Sequence, residues 1–224
     1  MSVAALLLVP GIGAALLALM RDERKAAWLN AFFSFLSFGC ALALLIERPS
    51  PGPFLIVDDL NVVFILIGTL VGFTTSVFSA SYIAHELETG HLTHAYLRFY
   101  HAMYQMLMFG MNLALLANNI GLMWVAVELA TLTTVVMVGI YRTPAALEAA
   151  WKYFLLGSVG IALALFGTIL VYLAARAVVG EGLDAMAWNI LVALIVIGVF
   201  LFRIRERFET VDVHLLHEHR GEQP

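Results

Sequence analysis

Charge is what this sequence lacks most. Lysine, arginine, aspartate and glutamate make up only 12% of its 224 residues, against roughly a quarter in an ordinary soluble domain. So few charges cannot cover the surface of a water-soluble protein of this size, and lipid must cover most of it. Cysteine is nearly absent: the only one, Cys40, stands inside an apolar stretch. A single thiol excludes an internal disulfide or a cysteine-ligated cluster within this chain, and Cys40 is expected to pack as a small hydrophobe. No basic residue precedes Arg21, and the apolar run from Val3 to Met20 is longer than a usual signal-peptide core. The N-terminus therefore reads as a first membrane span and not as a secretory signal. The apolar runs also lack the sustained alternation that an outer-membrane barrel requires. Phosphate-binding loops, nucleophile–base pairs and basic nucleic-acid patches are all missing, so neither a catalytic centre nor a nucleic-acid partner is expected.

What is present is long apolar runs. A bilayer core about 30 Å thick needs roughly 20 predominantly apolar helical residues. Seven stretches qualify: Ser2–Met20, Trp28–Ile46, Leu60–Ile83, Phe99–Ala117, Ile120–Tyr141, Ala150–Ala174 and Ala187–Ile204. Between the second and third lies Arg48-Pro49-Ser50-Pro51-Gly52-Pro53, whose prolines stop one helix and cannot start a long one. Only Asn118 and Asn119 separate the fourth and fifth, which demands a tight antiparallel hairpin. The fold class expected is all-α: a polytopic integral membrane protein of about seven transmembrane helices.

The net charge of −4 says little, because placement matters more than the sum. With the N-terminus outside, inside loops carry Arg21, Arg24, Lys25, Arg98, Arg142, Lys152, Arg203, Arg205, Arg207 and Arg220. Outside loops carry only Arg48 and Arg176. The positive-inside rule thus predicts an outside N-terminus and a cytoplasmic C-terminus.

Within the spans one residue is out of place. Glu128 lies near the middle of the fifth, in Leu122-Met-Trp-Val-Ala-Val-Glu-Leu-Ala-Thr-Leu-Thr-Thr134. A carboxylate there costs about 3 kcal/mol on insertion scales, so it should face a protein interior or a water-filled path. A proton relay is the functional expectation, since such a carboxyl can switch between neutral and charged forms as its surroundings change. A buried neutral acid that glues two helices by a hydrogen bond satisfies the same pattern. Trp124 and Thr131 share the face of Glu128 at helical spacing, and the Thr131 hydroxyl is placed to hydrogen-bond it.

Downstream, Thr143-Pro144 is a helix start, a hydroxyl cap followed by proline at the first helical position. Glu148 and Lys152 follow at i, i+4 in the favourable order. Lys152 opens the sixth span and can reach inward or snorkel to the headgroups. Between the third and fourth spans stand His85, Glu86, Glu88, His91 and His94, with His101 just inside the next helix. Their spacing lacks a metal-binding pattern, and a hydrated cytoplasmic loop is the expectation, with proton collection at a channel mouth as the functional alternative. Gly157, Gly160 and Gly167 read as small residues that let helices approach closely.

Taken together, several segments resemble one family. They are Asp58-Asp-Leu-Asn61, Ser81-Tyr-Ile83, Arg98-Phe-Tyr100, Asn118-Asn119, Trp124-Val-Ala-Val-Glu-Leu-Ala-Thr131 and Ala149-Ala-Trp-Lys-Tyr-Phe154. The family is the antiporter-like membrane subunits shared by respiratory complex I, Mrp-type cation/proton antiporters and membrane-bound hydrogenases. The wording from Tyr141 to Phe154, followed by Gly160-Ile-Ala-Leu-Ala-Leu-Phe-Gly167, is most similar to the hydrogenase-4 component F branch. The resemblance covers residues 1–190 and implies the N-terminal half of a proton-translocating subunit. It implies that Glu128 matches the family's fifth-helix glutamate, which takes part in proton transfer, and that Lys152 matches the lysine opening its sixth helix.

Full family subunits have about twice as many helices, in two inverted repeats with broken helices. Their glutamate pairs with a lysine on a broken seventh helix, whereas Ala187–Ile204 here contains neither lysine nor proline. The stretch Phe202-Arg-Ile-Arg-Glu-Arg-Phe-Glu-Thr-Val-Asp-Val-His-Leu-Leu216 resembles the end of a smaller hydrogenase-4 subunit, component E. That suggests a second segment, residues 191–224, joined near residues 188–195.

The resemblance implies a membrane-arm subunit of a hydrogenase-type or NADH dehydrogenase-like oxidoreductase in a prokaryotic inner membrane. Its partners would be the other membrane and peripheral subunits. No cofactor is expected in this chain, and metal clusters are expected only in partner subunits. A non-transporting structural or assembly module, or an independent small cation/proton antiporter, remains open.

Overall fold

The computed structural model describes residues 2–20, 22–88 and 94–179. They form six α-helices: α1 (Ser2–Leu19), α2 (Glu23–Ile46), α3 (Asp59–Glu88), α4 (His94–Leu116), α5 (Ile120–Val138) and α6 (Pro144–Val179). A single 3₁₀ turn, Gly139–Tyr141, joins the last two. A helix thus overlaps each of the first six expected spans, with ends that differ by up to six residues. The seventh, Ala187–Ile204, lies outside the described residues, as do His91, the basic tail and the boundary expected near residue 190.

Local chemistry sets the helix ends. Asp58 and Asn61 cap α3 reciprocally: Asn61 N donates to Asp58 Oδ1 at 2.7 Å and Asp58 N donates to Asn61 Oδ1 at 2.9 Å. Each side chain satisfies a backbone donor that the first turn leaves without a helical partner. Arg48, just past α2, forms an exposed ion pair with Asp59 at the start of α3. Asn119 accepts from the amides of Gly121 and Leu122 at 2.8 and 3.3 Å and so starts α5. The proline-rich segment folds onto this same turn. Ile56 N donates to Leu116 O at 2.8 Å, Asn118 N to Phe54 O at 2.8 Å and Asn118 Nδ2 to Gly52 O at 2.8 Å. The α2–α3 and α4–α5 connections therefore lie at one end of the bundle, as the alternation of loops requires. Thr143 caps α6 as expected, its hydroxyl accepting from Ala146 N at 3.1 Å, with Pro144 the first helical residue.

Packing is inside out relative to a soluble bundle. Asn30, Ser34, Ser37, Thr69, Ser76, His101, Gln105 and Asn112 are buried, while Phe32, Phe35, Phe64, Ile67, Leu156 and Leu163 are exposed. Only an apolar solvent makes that arrangement favourable. Among the described residues four stretches are long and apolar enough to cross a membrane, Arg24–Ile46, Asp59–Ile83, Ile120–Tyr141 and Pro144–Val171, and Val3–Leu19 is a shorter apolar helix. Helix α4 is the exception, because it carries His101, Gln105 and Asn112. It is also the central helix, packed on α1, α2, α3 and α5. The protein is a multi-pass membrane protein whose most polar described helix is packed among four others.

Lipid tails are as apolar as leucine, so close backbone approach and interhelical hydrogen bonds hold such a bundle together. Two glycines show this. A methyl group at Gly110 of α4 would lie 3.2 Å from both Ala126 O and Ala130 N, on the backbone of α5. At Gly72 of α3 it would run into the end of the Met108 side chain, and Gly72 O accepts the Tyr104 hydroxyl of α4 at 2.6 Å. A methyl at Gly157 would lie 3.3 Å from Thr131 Cγ2, but nothing described comes within 4 Å of such a methyl at Gly160 or Gly167. Of the three α6 glycines expected at a helix contact, Gly157 faces one among the described residues. Helix α6 packs on α5 and the 3₁₀ turn, and no residue from Trp151 to Val171 is fully buried. Cys40 packs beside Leu6, Ala41, Leu44, Val62, Ile65 and Leu116, as a small hydrophobe should.

Candidate functional site

Three contacts position α5. Its start is pinned by Asn119. One flank lies on α4, where Gly110 admits Ala126 and Ala130 to near backbone contact. The other lies on α6, where the Trp124 indole N–H donates to Ile161 O at 3.2 Å and Thr131 meets Gly157. Glu128 sits midway along this helix and is 5% exposed. Its Oε2 is buried and has no hydrogen-bond partner among the described residues. Leaving a buried acceptor unsatisfied costs about 1–3 kcal/mol, so a carboxyl here is not a neutral choice of residue.

The expected supporting residues are placed differently from one another. Trp124 and Thr131 do flank Glu128 along the helix, but both turn to α6. The Thr131 hydroxyl donates to Val127 O at 3.0 Å, one turn back in its own helix, and not to Glu128. That corrects the hydrogen bond expected between them. A threonine inside a helix finds its own i−4 carbonyl within reach at no entropic cost, and this local bond wins. Lys152 and Glu148 form an ion pair with each other on α6, their side chains 70% and 64% exposed. Of the two positions left open for Lys152, the described structure has the outward one. Such a pair contributes about 0.3–0.5 kcal/mol. Chemically, then, Glu128 is an enclosed group able to bind and release a proton, and Lys152–Glu148 is a separable surface pair near the α6 entrance.

The histidine-rich segment divides. His85 and Glu86 belong to the last turns of α3, and His94 is the first residue of α4. His101 is fully buried and is thus no part of a hydrated loop. No group of three or more metal-capable side chains gathers among the described residues. Sequence reasoning missed a buried polar cluster on α2 and α4. Gln105 Nε2 stands 3.0 Å from Asn30 O, 2.8 Å from Asn30 Oδ1 and 2.9 Å from Ser34 Oγ. The signal was available: His101, Gln105 and Asn112 recur at i, i+4 and i+11 in an otherwise apolar span.

Comparison with known proteins follows this architecture. Residues 117–204, which include Glu128 and Lys152, match the family described as NADH:quinone oxidoreductase/Mrp antiporter, transmembrane. A hydrogenase-4 component F homolog of Methylacidiphilum infernorum (isolate V4) is 62% identical over 189 residues, 84% of this chain and 40% of the relative. This chain belongs to the antiporter-like membrane-subunit family. Within it, the F(420)H(2) dehydrogenase subunit N of Methanosarcina mazei is 34% identical over 117 residues, 52% of this chain and 22% of that one. A chain of respiratory complex I from Thermus thermophilus, solved with bound aureothin, shares the fold with a TM-score of 0.62 at 24% identity. That match covers 88% of this chain and 43% of the solved one. The antiporter-like chain therefore spans well under half the length of the relatives it matches.

Proposed function

We propose that this antiporter-like chain is a membrane-arm subunit of a hydrogenase-type or NADH dehydrogenase-like oxidoreductase and that Glu128 moves protons within it. The observation that carries the reading is the Glu128 carboxyl, closed into α5 with an oxygen that no described group satisfies. The names of the relatives, a hydrogenase-4 component and an F(420)H(2) dehydrogenase subunit, support the assignment to a redox complex. Redox chemistry and metal clusters belong to the partner subunits in this reading. Lys152 acts electrostatically from the mouth of α6, and its field on the bundle changes as it holds or releases Glu148. In this reading the N-terminus is outside and the C-terminus cytoplasmic in a prokaryotic inner membrane, an orientation that the charge bias of the loops supports.

The test is Glu128→Gln in the intact complex, with electron transfer and proton uptake by inverted membrane vesicles measured together. Glutamine keeps size and hydrogen bonding but cannot release a proton at any accessible pH. The reading expects proton uptake per electron to fall while the complex still assembles. Unchanged uptake would leave Glu128 as helix glue and favour the structural module.

A further inference from the structure

The α2–α3–α4 junction contains a polar seam that Glu128 does not explain. His101, Gln105 and Asn112 form one stripe along α4 and are 0%, 0% and 2% exposed. Gly110, which faces α5, lies about 140–200° around the helix from all three, given about 100° per residue. The stripe therefore turns away from the helix that carries Glu128. Facing it, α2 presents Asn30, Ser34 and Ser37, all buried. From α3, Gly72 O takes the Tyr104 hydroxyl and Ser79 donates to the Tyr100 hydroxyl at 3.0 Å.

The direct hydrogen bonds do not close this network. Among the described residues Asn30 Nδ2, His101 Nδ1, His101 Nε2, Gln105 Oε1 and Asn112 Nδ2 are buried without a partner. Turning the amides over does not help, because the unpartnered end of each stays unpartnered whichever atom stands there. Buried polar groups are almost always satisfied by protein or by ordered water. The orphans here include both donors and acceptors, so the ligand they select must offer both. The stripe runs for eleven residues of helix, about 16 Å or half the hydrocarbon thickness.

We propose that this seam binds a file of internal water molecules, anchored at His101, at the Asn30–Gln105 pair and at Asn112. The ligand class is water, held by the neutral amides and the imidazole. An imidazole with one donor and one acceptor nitrogen continues such a file as a hydrogen-bonded member. The file gives protons a path across about half the hydrocarbon thickness that is separate from Glu128.

Radiolytic hydroxyl labelling of the chain in its native complex in nanodiscs tests this, because a buried side chain is oxidised only where water sits beside it. Met108 is 4% exposed and stands on the stripe between Gln105 and Asn112, so it reports on the seam. We expect Met108 to be oxidised in the unaltered protein. In Asn112→Leu and in His101→Phe, each taken singly, most of that labelling should be lost, with Phe54, exposed in the α2–α3 connection, as the reference for dose. An unlabelled Met108 in the unaltered protein overturns the proposal. So does labelling that persists in folded variants, since the water would then not be held by these side chains. If neither variant folds, the unaltered protein alone decides.

Discussion

Gly110→Ala is the sharpest test of the packing that places Glu128. The added methyl would sit 3.2 Å from Ala126 O and from Ala130 N. Ordinary van der Waals contact begins a few tenths of an ångström further out, and both neighbours are helix backbone, which cannot swing aside. Helix α5 must therefore shift bodily from α4. Overpacking of this kind costs about 1–3 kcal/mol, which is about 5- to 150-fold in the unfolding equilibrium. The comparison variant is Gly160→Ala, where nothing described lies within 4 Å and the methyl is free. Alanine's helix propensity there is favourable by up to about 1 kcal/mol. Reversible unfolding of the purified chain in bicelles would measure both. We expect Gly110→Ala to destabilise and Gly160→Ala to be neutral or stabilising. Equal effects at the two positions would refute the claim that α4 and α5 meet backbone to backbone. Because Glu128 rides on α5, Gly110→Ala should also lower proton uptake by the assembled complex without altering any titratable group.

Two further outcomes follow from local contacts. Asn119→Ala removes the acceptor for the Gly121 and Leu122 amides and should destabilise the chain by about 1 kcal/mol in the same assay, whereas Asn119→Asp keeps the cap and should not. Lys152→Met should change stability by less than about 0.5 kcal/mol, and raising the salt should erase the difference, because the pair with Glu148 is exposed. A large, salt-independent loss would mean that Lys152 works inside the bundle.

Helix ends were legible because they rest on neighbours in the chain. Thr143-Pro144 and the Asn118-Asn119 turn act within three residues of themselves, and the structure uses both as helix starts, whereas the equally local Asp58–Asn61 cap emerged only from the structure. The prolines of residues 49–53 likewise end α2, and the charge content dictated the solvent. Glu128 could be singled out by sequence because a carboxyl in a span is costly wherever it points. Which partners surround it could not. The side of α5 that meets α4, the outward position of Lys152 and the bond from Thr131 to Val127 all depend on how the helices are rotated against each other.

A lipid-facing side chain and a helix-facing one are equally apolar, so hydropathy carries little record of that rotation. Gly110 and Gly160 look alike in sequence, yet among the described residues only the first meets another backbone. His101 stands just inside a span after a run of loop histidines, and only the structure shows that it is fully buried. By itself, then, the sequence determined a multi-span helical membrane protein, its turns and its one intramembrane acid. Tertiary structure alone decided that the most polar span is the central one, because buried amides and an imidazole find partners only inside the bundle and none in the lipid around it.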